Sequence, residues 1–417
     1  MNQSLSNQSS IDNGRLFFVD WLRIIAFFVL IFYHVGMYYV TWDFHVKSAD
    51  ASKTIEPLMM LSSPWRLSLL FMISGVASAF MLKKMRAKSF ASQRSWRLLI
   101  PLVFGMLIIV PPQSYFEVVE KVAYQGGYFD FMKLYLTGYG GFCRGTESCL
   151  SLPTWNHLWF VLYLWVYSLL LAGLMAFFGQ GFERASAWLG RVLVGWKIIV
   201  LPLVVLAFVR VTMVSHFPST HALVDDWFNH ANYFAVFLLG ALLASQSAFW
   251  VRVEEGRWLY LSTAISCWGI LIVYYALPET FFSAGQIDFW RDVQRVVYVL
   301  CAWCAILAAF GFAHRHLQFD SPRREYLGQA VFPVYIVHQT LIIVLAHWFK
   351  PAKLAPALEG VILIVLTLTL SFGIAEMVRR VAFLRPFFGL AGRPRKHSAA
   401  DKTTSEIRET RFQPAQQ

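Results

Sequence analysis

Three histidines stand in or at the edge of apolar runs. His34 lies deep in the apolar run that begins near Phe17, and His338 lies in another, within Tyr335, Ile336, Val337 and His338. His157 opens a third, flanked by Trp155 and Trp159. An ionisable group inside a membrane span is expensive unless it faces a cavity or a partner, so each is a candidate for chemistry. A neutral imidazole can take a proton from a hydroxyl near working pH. Packing is the competing explanation: a histidine can simply hydrogen-bond a neighbouring helix, and His157 with its tryptophans fits an interfacial aromatic belt.

The arginines add a second kind of chemistry. Arg15, Asp20 and Arg23 precede His34 on the same predicted helix. Asp20 and Arg23 are three residues apart, share a face and can pair, which leaves Arg15 to meet an anion. Arg94 and Arg97, likewise spaced ahead of Pro101, form a fork suited to phosphate or pyrophosphate oxygens, although lipid headgroups attract such pairs too. Arg210, near the outer end of another predicted helix, needs a cavity or a counter-ion. Ser74 offers a hydroxyl beside Gly75, but close helix approach is the better account of that pair.

These residues must be positioned by membrane helices. The chain is 57% hydrophobic with only 14% charged residues, and its apolar residues fall in repeated runs of spanning length. Hydropathy places about ten helices, at roughly 17 to 40, 64 to 82, 98 to 116, 157 to 178, 197 to 214, 231 to 248, 258 to 276, 292 to 313, 329 to 348 and 358 to 378. The fold class expected is therefore an all-α polytopic membrane protein. Basic residues cluster in alternate loops: Lys83 to Arg97, then Arg315, Arg323 and Arg324, then Arg379 to Lys396. By the positive-inside rule both termini are expected in the cytoplasm. Residues 1–14 read as a polar, disordered N-terminus, 15–390 as one membrane domain, and 391–417 as a disordered basic tail. The first apolar run is long and lacks an Ala-x-Ala-like cleavage site, so it reads as a retained span.

Several function classes drop out. The net charge of +12 resides in short loops and the tail, the pattern of topology signals, so no nucleic-acid partner is expected. No G-x-S-x-G, P-loop or H-E-x-x-H stretch occurs, and no metal site is expected. His221 followed by Asp225 and Asp226 matches a short acyltransferase-like spacing, but chance supplies such spacings readily. Cys143 and Cys149, in the long outer connection from 117 to 154, could close a small loop in an oxidising compartment or remain two free thiols. Cys301 and Cys304 have redox-motif spacing but sit in a predicted helix, where buried small apolar residues are the better reading.

Taken in order, the pieces resemble the acyltransferase 3 family of membrane acyltransferases. The resemblance rests on Arg15-x4-Asp20-x2-Arg23-x10-His34, Phe71 to Gly75, Arg94-x2-Arg97 before Pro101, His157 to Phe160, and Tyr335 to His338. It spans roughly residues 15 to 390, with Trp21 standing where many members have glycine. Asp43 to Ser48 and the lengths of the outer loops look nearest to a branch that succinylates osmoregulated periplasmic glucans. The resemblance implies transfer of an acyl group from a cytoplasmic acyl-CoA to a carbohydrate hydroxyl at the outer face of a bacterial inner membrane. It assigns the essential histidine to His34 and the arginine motif to Arg94 and Arg97. Acyl-CoA, anionic at one end, would be gripped by Arg15, Arg94 and Arg97, with His34 as base. The donor for the developing oxyanion is then missing, and His338 and Arg210 are both candidates. Two rivals stand beside this reading: a transporter or flippase that uses Arg210, His34 and His338 as a path, and a scaffold without chemistry.

Overall fold

The computed structural model describes residues 16–144, 148–283 and 285–392. Arg15, with most of the basic tail, lies outside the described residues. Apart from a two-stranded hairpin, β1 (Cys143–Arg144) with β2 (Ser148–Cys149), regular structure is helical. The helices are α1 (Phe17–Tyr39), α2 (Glu56–Ser62), α3 (Arg66–Lys84), α4 (Ala87–Phe104), α5 (Pro111–Lys121), α6 (Tyr128–Leu136) and α7 (Trp159–Val192). After them come α8 (Lys197–Met213), α9 (Trp227–Leu243), α10 (Ser247–Glu255), α11 (Arg257–Ala276), α12 (Ile287–His316), α13 (Pro322–Phe349) and α14 (Pro356–Arg380).

Among the described residues, seven helices are long and apolar enough to cross a membrane, or nine if each of two bent pairs is one span. The chain is an all-α polytopic membrane protein. Every expected segment falls on helix, and α8, at 17 residues, falls short of the seven or nine by its length. Two segments are not the straight rods that hydropathy suggested. The helix expected at 98 to 116 passes through a π segment, Gly105–Ile109, and bends by 41° into α5, because Pro111 and Pro112 supply no N–H to continue the ladder. The helix expected at 231 to 248 ends at Leu243, and the chain turns by 111° into α10. Phe249, Trp250 and Val253 bury one face of α10, while Arg252 donates to the Gly190 (2.8 Å) and Leu193 (3.2 Å) carbonyls at the end of α7.

α1 is central and touches α3, α12, α13 and α14. Phe18 is fully buried against Trp250 and Phe310. α3 and α9 approach closely: a Cβ at Gly75 would strike the Phe237 carbonyl, and one at Gly240 the Met72 carbonyl. Small residues permit such backbone contact where lipid supplies no hydrophobic drive. α11 and α14 are peripheral, and Ile265, Ile270, Val361 and Val365 present exposed apolar surface suited to acyl chains.

The two ends of the bundle differ. One, here the basic end, gathers the start of α1 with Arg324, the α3–α4 turn and the segment after α14. Arg324 bridges Asp20 (2.7 Å) and Asp320 (2.7 Å), and Arg97 donates to the Gly389 carbonyl (3.4 Å). The other, the loop end, carries the hairpin closed by a Cys143–Cys149 disulfide. Cys267, Cys301 and Cys304 are buried free thiols.

Candidate active site

His34 and His338 come from α1 and α13, and their rings stack 5.1 Å apart and nearly parallel. His338 Nδ1 lies 2.6 Å from the Tyr335 carbonyl oxygen. A carbonyl only accepts, so His338 carries its proton on Nδ1 and offers Nε2 as an acceptor. His34 Nδ1, 2.8 Å from that Nε2, is then the donor, which leaves the lone pair of His34 on Nε2. Among the described residues nothing hydrogen-bonds to His34 Nε2, and His34 lines a cavity of about 430 Å³. The pair is a base with a dedicated orienting partner, the arrangement that activates a hydroxyl nucleophile.

His157 is close, with its ring centroid 5.3 Å from that of His338, but both of its nitrogens are occupied. Nε2 donates to the Ile336 carbonyl (3.1 Å), and Nδ1 accepts from Gln113 (3.3 Å). Tyr335 Oη returns a hydrogen bond to the His157 carbonyl. This stitches the start of α7 to α13 and orders the backbone beneath His338. Gln113, fully buried, also donates to Thr340 (2.7 Å) and accepts from Asn156 and Gln339 (both 3.2 Å). Gln339 donates to His45 Nε2 (3.0 Å), so His45 Nδ1–H faces Glu117 (2.5 Å). A network of amides and imidazoles thus runs from the floor of the cavity to its mouth, where Lys121 joins Glu117 (2.9 Å) and Asp43 (3.0 Å). Burial opposes ionisation of Asp43, but Lys121 and Arg144 hold its carboxyl below the usual range.

The rim is aromatic and polar. Trp155, Asn156, Trp159 and His221 line it, and Trp159 stacks on His221 at 4.4 Å. Trp155 Nε1 donates to the His221 carbonyl (2.9 Å). Asp226, fully buried, accepts from Tyr163 Oη (2.5 Å) and from the backbone N–H groups of Thr220 (3.2 Å) and His221 (3.1 Å). Asp226 therefore holds the loop through the His221 backbone and, among the described residues, makes no hydrogen bond to the His221 ring, so the discounted His–Asp spacing is structural. Burial pushes His221 below its ordinary pKa, with Asp226 partly opposing.

A second cavity, about 470 Å³, lies toward the basic end. Arg23, Arg94, Arg97 and Arg385 line it together with Ser74. Arg94 donates to Ser78 (2.6 Å), and Arg385 is tied to the Ala391 (2.7 Å) and Arg379 (2.9 Å) carbonyls. Gly389, at φ +66, ends the short Pro386–Phe388 helix in a left-handed turn that a side chain would strain. The cavities share two wall residues, Leu70 and Phe160. Among the described residues no group of three or more His, Cys, Asp or Glu side chains is arranged to hold a metal ion.

The structure thus brings His34, His157 and His338 together and places Arg23, Arg94, Arg97 and Ser74 around the other chamber. Asp20 pairs with Arg23 (3.5 Å), as their spacing suggested, and also with Arg324. Arg210 lies apart, 3.8 Å over the Tyr298 ring, and lines neither cavity. Sequence reasoning missed Gln113 and Gln339, whose uncharged amides leave no mark in hydropathy, and Arg385. It also missed Arg66, a basic residue at the cation-poor end of a span, where the charge asymmetry was itself a signal.

Residues 16–376 match the family described as Acyltransferase domain. The glucans biosynthesis protein C of Salmonella paratyphi A, of Salmonella heidelberg and of Salmonella typhi are each 22% identical over 350 residues, covering 82% of this chain and 86% of theirs. No solved structure matches the chain. With the match running through nearly all of the helical bundle, the chain belongs to the acyltransferase 3 family.

Proposed function

We propose that the protein is a membrane O-acyltransferase that moves an acyl group from a cytoplasmic acyl-CoA to a hydroxyl of an envelope carbohydrate. The observation that carries this reading is the His34–His338–Tyr335 carbonyl chain at the floor of one cavity, with an arginine-walled cavity beyond Leu70 and Phe160. In this reading ten helices span a bacterial inner membrane, both termini are cytoplasmic, and the basic end faces the cytoplasm. Arg94 and Arg97 meet donor phosphates, aided by Arg23 and Arg385, and the pantetheine arm reaches past Leu70 and Phe160 toward His34. Arg15, outside the described residues, belongs to the same grip.

In the reaction, His34 Nε2 takes the proton of the acceptor hydroxyl as its oxygen attacks the thioester carbon. His338 keeps the imidazolium oriented. The tetrahedral intermediate collapses, the C–S bond breaks, and the proton on His34 returns to the departing sulfur. Tryptophans at the mouth suit the apolar faces of sugar rings, and the polar rim suits their hydroxyls. The named relatives support a glucan acceptor, with succinyl-CoA as the candidate donor. The test is purified protein in lipid vesicles with labelled acyl-CoA and a glucan acceptor. Ester on the glucan in proportion to free CoA is expected, and CoA release without ester would defeat the assignment.

A further inference from the structure

We propose that Arg66 is the donor that stabilises the oxyanion formed on the thioester carbonyl, a role that rests on the acyl-transfer reading above. Arg66 opens α3, is only 8% exposed, and lines the cavity that holds His34. Its guanidinium lies over the ring of Tyr33, the neighbour of His34 in α1, with Cζ 3.2 Å from the ring centroid. That contact consumes none of its N–H donors. Yet Nε and Nη1 are buried without a partner, and Arg66 makes no hydrogen bond or ion pair among the described residues.

The other charged side chains on this cavity wall are engaged. Asp43, Glu117 and Lys121 are joined to one another, and His45 and Arg144 complete their cluster. A buried guanidinium with unmet donors is costly in the resting protein, and negative charge arriving during the reaction offsets that cost. Depth agrees: Arg66 lies level with Tyr33, and Leu70, one turn further along α3, is shared with the arginine-walled cavity from which the thioester would come. When the hydroxyl oxygen bonds to the carbonyl carbon and His34 takes its proton, the C=O π pair moves onto oxygen. Arg66 meets that charge. As the π bond re-forms, the C–S bond breaks and the thiolate takes the proton from His34. His338 cannot fill this role, because its Nδ1 proton is committed to Tyr335 and its Nε2 accepts from His34.

The test is steady-state kinetics of Arg66→Gln, Arg66→Lys and Arg66→Ala in lipid vesicles, with monodispersity and acyl-CoA binding measured for each. Loss of one oxyanion donor predicts kcat falling on the order of 10²- to 10³-fold, with KM for donor and acceptor nearly unchanged. Added methylguanidinium is expected to restore part of the turnover of Arg66→Ala, which a merely structural role would not allow. If Arg66→Ala and Arg66→Gln fail to fold, Arg66→Lys carries the test, since a point charge without the planar fork should still lower kcat and spare KM. Wild-type kcat in a folded variant, or a raised KM at constant kcat, would overturn the oxyanion role alone. Absence of ester formation by the wild-type protein would overturn the acyl-transfer reading and this inference together.

Discussion

The two cavities are similar in size and built on opposite principles. Around the chamber at the basic end, cations are concentrated: Arg23, Arg94, Arg97 and Arg385 share one wall system, Arg23 paired with Asp20, Arg94 with the Ser78 hydroxyl, and Arg97 and Arg385 with backbone carbonyls. Around the chamber at the loop end, neutral donors and acceptors are paired almost to completion, from His157 through Gln113 and Gln339 to His45. There His34 Nε2 and Nε and Nη1 of Arg66 stand out because, among the described residues, they have no hydrogen-bond partner. A concentration of guanidiniums matches a ligand with permanent negative charge. A largely satisfied network that leaves one lone pair and one cationic edge over matches a ligand whose charge is transient. One molecule can serve both chambers only if it is anionic at one end and reactive at the other, which is the form of an acyl-CoA.

The largest expected effect breaks the neutral chamber. His34→Gln removes the proposed base without touching the topology signals, and ester formation should fall about 100- to 10,000-fold while the protein stays folded in the membrane. Near-normal turnover would remove His34 from the mechanism and favour a scaffold. His338→Leu leaves that base in place but unoriented, so a smaller loss on the order of 10²-fold is expected, in kcat and not in donor KM. Equal losses in both variants would mean that the pair acts as an inseparable unit.

The charged chamber should respond in the other kinetic constant. Arg94→Ala and Arg97→Ala should each raise the acyl-CoA concentration for half-maximal rate about tenfold or more, the worth of a charge-assisted hydrogen bond, with kcat less affected. Lysine should rescue only partly, for want of the fork. Unchanged donor dependence in both variants would reassign the pair to lipid headgroups or to topology.

Much of this was legible in the chain. Intramembrane histidines and a basic fork stand out because burying charge costs so much. Their meeting was not legible: His34 and His338 are separated by 304 positions, and a single sequence carries no distance between α1 and α13. Arg210 attracted the same suspicion as His338 on the same grounds, yet it lies over a tyrosine face away from both cavities. The bends beside α5 and α10 escaped because hydropathy measures how apolar a segment is, not where its ladder breaks. Pro111 and Pro112 did carry that information for the first bend.

The smallest expected effect sharpens the account of the rim. His221 is half-buried against Trp159 and its pKa is lowered from the ordinary 6.5. A loosened loop would bind a proton more readily than the closed one, so the closed form keeps its full advantage above about 6.5 and loses it as pH falls toward the lowered value. Acceptor KM should therefore rise on acidification across that window, by about tenfold or less, the free energy of one aromatic pair. In His221→Asn that rise should be absent. A wild-type acceptor KM that stays flat through the window would detach His221 from the rim's function.

The central claim is that donor and acceptor enter from opposite ends and meet at His34. It is tested most directly in sealed vesicles of known orientation, with acyl-CoA supplied on the side of the basic end and glucan on the other, by measuring free CoA and glucan ester on each side. Free CoA is expected only on the donor side and ester only on the glucan side, appearing in step. Intact substrate crossing without thioester cleavage would identify a transporter, and CoA appearing beside the glucan would contradict the two-chamber geometry even if ester formed.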